Sequence, residues 1–312
     1  MTIPADPIFE SALAQTAAHL PGVARGDALD LRGAIDAGLR EEFGRLPACP
    51  EVSRHDVSFV ADDGATLPAR WYRPAGSGSG SAVLFFHGGG LIAGSVEIYD
   101  PYVAQHVQSS GVPMLSVDYR LSPEATGDTP ARDALAAVRW VREHAEELGV
   151  DPQRLALMGD SAGGGVAAAA AILARDAGIA IARQILIFPM LDDRTVDEDP
   201  SLGRLVMWTH EDNFTGWRAL LGDTRGTADV PASAAPARLE DFTGLAPAYI
   251  EVGAVDLFRD EDVQYAARLL QAGVQTELHV HPGAPHAYDS MALDSEFATR
   301  WRADRTRVLR SI

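Results

Sequence analysis

Five short, mostly apolar strand-like runs separated by helical patterns, the first of them uninterruptedly apolar, constrain this chain more than any other feature. The runs occupy residues 82–86, 112–117, 154–158, 184–188 and 248–252. A strand with one wet face alternates apolar and polar residues, so a continuous run predicts a strand covered on both faces. Helical stretches at 132–147, 162–175 and 261–271 fall between these runs, and a strand at 275–280 precedes a last helix reaching Ile312. Such alternation predicts an α/β fold: a mainly parallel sheet with helices on both sides.

Two regions break the alternation. Residues 1–45 read as helical, with Ile8, Leu13, Ala17 and Leu20, then Leu29, Ile35, Leu39 and Phe43, near helical spacing. Residues 192–243 form an insertion longer than a connection needs, and it carries Met207, Trp208, Phe214 and Trp217. We expect the catalytic unit to be 46–191 together with 244–312, capped by 192–243 and the N-terminal helices. At 52–60 and 65–73 the period is two, and Asp62-Asp63-Gly64 joins the runs as a hairpin. The repeat Gly-Ser-Gly-Ser-Gly-Ser at 76–81 reads as a surface loop.

Gly159-Asp160-Ser161-Ala162-Gly163 lies where a buried strand passes into an Ala-rich helix. That is the context of a nucleophile elbow, a turn too sharp for bulky neighbours around the serine. A serine there sits at a helix N-terminus, where unpaired N–H groups favour developing negative charge. His87-Gly88-Gly89-Gly90 follows another buried strand. Its three glycines let backbone N–H groups point into a cavity, where with that of Ala162 they could bind an oxyanion. Of the nine histidines, His286 stands in a loop, Pro282-Gly283-Ala284-Pro285-His286, directly after the last strand and reaches the sheet edge where Ser161 emerges. His279 and His281 share a strand face, His87 holds its loop, and His19, His55, His106, His144 and His210 read as solvated or capping. The carboxylate should follow the penultimate strand, which selects Asp256. Its rival Asp260 opens the next helix and reads as an N-cap. The order Ser, Asp, His is that of α/β-hydrolases.

With His-Gly-Gly-Gly at 87–90, Asp-Tyr-Arg-Leu-Ser-Pro-Glu at 118–124, Gly-Asp-Ser-Ala-Gly-Gly at 159–164, Asp-Leu-Phe-Arg-Asp at 256–260 and Pro-His-Ala-Tyr at 285–288, the chain resembles the hormone-sensitive lipase-like (bacterial family IV) carboxylesterases. The resemblance runs from about residue 82 to 290. It implies an eight-stranded, mostly parallel sheet whose first strands are antiparallel, and a helical cap from the N-terminus and an insertion after the sixth strand. It also implies Ser161, Asp256 and His286 as triad, Gly89, Gly90 and Ala162 as oxyanion donors, and structural roles for Tyr119, Arg120 and Glu124. Leu91 stands where the family often has an aromatic, which reshapes the acyl pocket; Met207, Trp208, Phe214 and Trp217 are further pocket candidates.

Composition narrows the partners. The formal charge is −18 and every basic residue is Arg, so phosphate backbones and anionic membrane surfaces are disfavoured. With no Lys there is no Schiff-base amine or Ser-Lys dyad, and the single Cys49 excludes an intrachain disulfide and a multi-thiolate zinc site. No metal or organic cofactor is expected, and the longest apolar stretch, 166–174, is too short to span a bilayer. The expectation is a cytoplasmic serine esterase acting on small short- to medium-chain acyl esters. Self-association, hydrolysis of amides or lactones, and a non-catalytic small-ligand receptor on the same fold remain the alternatives, although a receptor would not need His286.

Overall fold

The computed structural model describes residues 3–10, 13, 26–76, 80–195, 199, 202 and 207–312. Ala17, Leu20 and His19 of the expected N-terminal helices, the centre of the Gly-Ser loop, and much of 196–206 in the expected cap lie outside these residues.

Eight strands form one sheet: β1 (Ser53–Val60), β2 (Thr66–Arg73), β3 (Ala82–Phe86), β4 (Met114–Val117), β5 (Leu155–Asp160), β6 (Arg183–Ile187), β7 (Ala248–Val255) and β8 (Thr276–Pro285). Their order is β1-β2-β4-β3-β5-β6-β7-β8. The β1–β2 and β2–β4 pairs are antiparallel and the remainder parallel. The described helices are α1 (Ala28–Phe43), α2 (Val96–Ser110), α3 (Thr129–Glu143), the single turn α4 (Ala145–Leu148), α5 (Ala162–Asp176), α6 (His210–Leu221), α7 (Arg259–Gln271) and α8 (Glu296–Arg310).

The continuous apolar runs have the cause expected of them. Leu84 and Phe86 of β3, Leu155 and Leu157 of β5, and Leu186 of β6 enter a core with α3, α5 and α7. Their neighbours Val83, Phe85, Ala156, Met158, Ile185 and Ile187 enter a second core with α2 and α8. Alternate residues therefore leave the sheet on opposite sides, and both sides are covered.

Three local readings change. β8 continues through Pro282 to Pro285, so His286 directly follows a strand and not a loop. Both prolines are tolerated because β8 is the sheet's outer strand, and the register shift at Gly253 and Val255 accommodates the irregular end. Helix α7 is capped at Phe258, leaving Asp260 inside the first turn in an ion pair with Arg259. His106, expected to be solvated or capping, is buried on α2, and desolvation pushes its pKa down to about 3.

Candidate active site

The sheet delivers the three chemistry-bearing residues to one edge. Ser161 follows β5 and caps α5 with φ 51° and ψ −121°, a backbone conformation that non-glycine residues rarely adopt. Backbone bonds hold it there: its N–H donates to Ile187 O at 2.8 Å, and its carbonyl accepts from Met190 N at 2.9 Å. The turn is also enforced sterically. A Cβ on Gly163 would lie 2.0 Å from Phe86 O, and one on Gly159 would lie 2.2 Å from Gly163 O.

His286 Nε2 lies 3.0 Å from Ser161 Oγ, and its Nδ1 lies 2.9 Å from Asp256 Oδ2. Asp256 is fully buried, and its Oδ1 accepts from the Phe258 N–H at 2.9 Å. The imidazole is gripped edge-on by Phe188 and Phe258, with ring centroids 4.9 and 5.1 Å away. Two hydrogen bonds and two aromatic walls leave the ring one orientation.

The glycine loop is tied down by polar groups on three other elements. Gly88 N–H donates to Tyr99 Oη at 3.1 Å and to Asp160 Oδ1 at 3.2 Å, while Tyr99 donates to Asp160 Oδ2 at 2.9 Å. Tyr119 donates to His87 O at 2.7 Å and stacks on the His87 ring. Burial pushes the His87 pKa down, which keeps the ring neutral. Burial, reinforced by the Asp289 charge, raises the Asp160 carboxyl to about 7. Gly89 and Gly90 follow with φ of 115° and 62°, conformations that favour glycine. Ala162, the first residue of α5, has no intrahelical acceptor for its N–H. Arg120 forks onto the buried Asp133, and Glu124 pairs with Arg32, tying the segment after β4 to α1.

A cavity of about 790 Å³ opens above Ser161, with Gly89, Gly90 and His286 in its wall. The pocket candidates from the sequence separate into three groups. Met207 and Trp208 line this cavity. Leu91 and Trp217 instead face a small void of about 10 Å³ beside Ala162 and Met190. Phe214 lines neither and packs under the Arg225 guanidinium, 4.6 Å from its centroid. Sequence reasoning missed Glu42 of α1 and Phe188, which also line the cavity. It missed them because neither belongs to a motif, and only the folded chain brings them to the serine.

Glu277, His279 and Asp304 bring potential metal-binding atoms within 4.8 Å of one another. They stand at the start of β8 and on α8, and Arg307 already bridges Glu277 and Asp304. No helix among the described residues is long and apolar enough to cross a membrane.

A family model described as the alpha/beta hydrolase fold matches residues 83–290. Esterase LipI of Mycobacterium tuberculosis is 36% identical over 280 residues, covering 84% of this chain and 85% of the relative. The ethyl acetate hydrolase of Pseudomonas putida is 37% identical over 247 residues, covering 76% of each chain. Among solved structures, a bacterial heroin esterase superposes with a TM-score of 0.89 at 35% identity, covering 98% of this chain and 97% of the other. A hyperthermophilic esterase from Pyrobaculum calidifontis superposes with a TM-score of 0.87 at 29% identity, covering 99% of each chain.

Proposed function

The chain belongs to the α/β-hydrolase family, in its hormone-sensitive lipase-like branch, and we propose that it hydrolyses short- to medium-chain acyl esters through Ser161, His286 and Asp256. Carboxylic ester hydrolysis is the activity its named relatives share. The observation that carries the assignment of residues is the chain of contacts from Ser161 Oγ to His286 Nε2 at 3.0 Å and from His286 Nδ1 to Asp256 Oδ2 at 2.9 Å, on the floor of an open cavity.

In this reading His286 takes the Ser161 proton as Oγ attacks the ester carbonyl. The N–H groups of Gly89, Gly90 and Ala162 hold the oxyanion, and the α5 N-terminus adds its partial positive charge. His286 returns the proton to the leaving alkoxide, which departs as the alcohol and leaves an acyl-Ser161. Water, deprotonated by the same imidazole, then releases the carboxylic acid. Asp256 stays ionised and fixes the Nδ1–H tautomer. A cytoplasmic location belongs to the same proposal, since the lone Cys49 needs no oxidising compartment.

The test is a kcat/KM series on p-nitrophenyl esters of increasing acyl length, joined to mass spectrometry of protein treated with an alkyl fluorophosphonate. The expected result is a maximum at short or medium chains and a single phosphonylated peptide carrying Ser161. An enzyme silent on every ester, or labelled elsewhere, would overturn the reading.

The Asp160 clamp yields a second prediction. Asp160→Ala removes the acceptor that fixes Gly88 and is expected to lower kcat about a hundredfold by loosening the oxyanion donors, with little change in KM. Asp160→Asn keeps an acceptor for Gly88 N–H and should retain most of the rate. A kcat within twofold of wild type for the alanine variant would show that Tyr99 and Tyr119 hold the loop alone.

A further inference from the structure

The cavity wall carries several carboxylates, Glu41, Glu42, Asp160, Asp212 and Asp289. An ester bound there has its leaving oxygen beside His286 Nε2, because that atom protonates it. The segment that continues from His286 contributes Asp289, Ser290 and Met291 to the cavity wall along which the alcohol portion can lie. Facing that segment is Glu42, in the last turn of α1, with the Ser290 hydroxyl as its hydrogen-bonding neighbour.

Among the described residues no cation neutralises Glu42 directly. Arg45, three residues on, bridges to Glu41 at the surface. Asp289, by contrast, is already paired with the buried Arg305 at 2.7 Å. The last turn of α1 is also the negative pole of that helix. Beside Glu42, Phe43, Tyr99 and Tyr102 contribute a cluster of rings to the same cavity, with centroids 4.7 Å and 5.2 Å from Phe43 to the two tyrosines. A carboxylate beside an aromatic wall is the chemistry that holds an alkylammonium group.

We propose that Glu42 is a specificity-determining residue, and that the leaving-alcohol side of the cavity favours esters of amino alcohols carrying a tertiary or quaternary ammonium. This rests on the esterase reading above and adds the substrate class. The chain's net charge of −18 would gather the same cations in advance of binding.

Burial, with the Asp289 charge added, raises the Glu42 carboxyl to about 7, so it is charged at pH 8 and largely protonated at pH 6. Facing it are His286, Asp289 and Ser290 from the histidine segment, Glu41 and Arg45 from its own end of the chain, and Asp160 and Asp212 across the cavity. Asp160 also faces the cation, so the part of the pH dependence that belongs to Glu42 is the difference between wild type and Glu42→Gln.

The experiment compares kcat/KM for the butyrate esters of choline and of its uncharged carbon isostere, 3,3-dimethylbutanol. At pH 8 wild type is expected to favour choline roughly tenfold, the scale of a desolvated cation contact. Glu42→Gln should bring the ratio to near one, whereas Glu146→Gln, at an exposed position outside the cavity, should keep it. The wild-type ratio should also fall between pH 8 and pH 6, and more steeply than that of Glu42→Gln. An equal rate on both esters in wild type, or a preference that survives Glu42→Gln, would overturn the proposal. Wild type inactive on both esters would instead remove the esterase reading on which it stands.

Discussion

Asp256→Asn should lower kcat on p-nitrophenyl butyrate by about 10⁴-fold while leaving the fold intact, because an isosteric amide reverses the imidazole tautomer. Asp256 uses both oxygens: Oδ1 accepts from Phe258 N–H, and Oδ2 faces His286 Nδ1. An asparagine has one acceptor oxygen, and the backbone N–H of Phe258 is an obligatory donor that claims it. The amide nitrogen then faces His286 Nδ1, which must become an acceptor, so the ring proton moves to Nε2. In that state Nε2 donates to Ser161 Oγ and no longer takes its proton. His286→Ala should cost more, approaching 10⁶-fold, since it removes the base altogether. Asp260→Asn is the matching control: its carboxylate is about two-thirds exposed and pairs with Arg259, so less than a twofold change is expected. Steady-state kinetics with a thermal melt of each variant decides the matter. A kcat for Asp256→Asn within tenfold of wild type would remove Asp256 from its orienting role.

The distribution of what was legible in the sequence follows from how local each cause is. The buried strands announced themselves because two covered faces leave few polar positions, and one that occurs, Glu251, is held by buried partners. The elbow was readable because its requirement for small residues is met within five consecutive positions, Gly159 to Gly163. The sequence was less informative where a residue's role depends on a distant partner. Tyr99 and Asp160 are 61 residues apart, yet together they fix Gly88. Nothing around Tyr99 marks it, and Pro101 within α2 obscures the helix that presents it. The end of β8 misled for a different reason. Pro282, Gly283 and Pro285 read as a loop, and only the strand's place at the sheet edge makes them compatible with pairing. Likewise Asp260 has the residue type of an N-cap, but the helix begins one residue before it. The pocket candidates in the insertion were chosen for apolar character alone. That criterion does not distinguish Trp208, which faces the cavity, from Phe214, which lies under an arginine.

The same long-range logic governs the largest expected effect on stability. Arg305→Met should destabilise the protein by about 3–5 kcal/mol, because it strips the cation from two buried carboxylates at once. Arg305 is 1% exposed on α8 and donates to Glu251 of β7, to Asp289 at 2.7 Å and to Tyr102 at 2.9 Å. Tyr249 and Tyr288 also donate to Glu251, so the network joins the sheet, α2, α8 and the segment just after His286. Burial alone would push the Glu251 carboxyl up, but the adjacent guanidinium outweighs it and holds the group below its usual value. In wild type this depressed value contributes stability above the unfolded pKa, lost as pH falls through the folded one. Without Arg305 the sign reverses. The buried carboxyl is then raised, so the variant is least unstable in acid and loses more as pH rises. A melting midpoint lowered on the order of 10 °C at pH 8, with a smaller gap from wild type at pH 5, is the expected result. Arg305→Met/Glu251→Gln should recover part of the loss at pH 8, since one uncompensated charge is gone. Arg307→Met on the same helix removes exposed pairs with Glu277 and Asp304 and should cost no more than about 1 kcal/mol. Equal midpoints for Arg305→Met and wild type would mean that the tyrosine hydroxyls suffice for Glu251. A parallel fall in kcat is expected in Arg305→Met, because Asp289 lies three residues beyond His286 and anchors the turn that presents its imidazole.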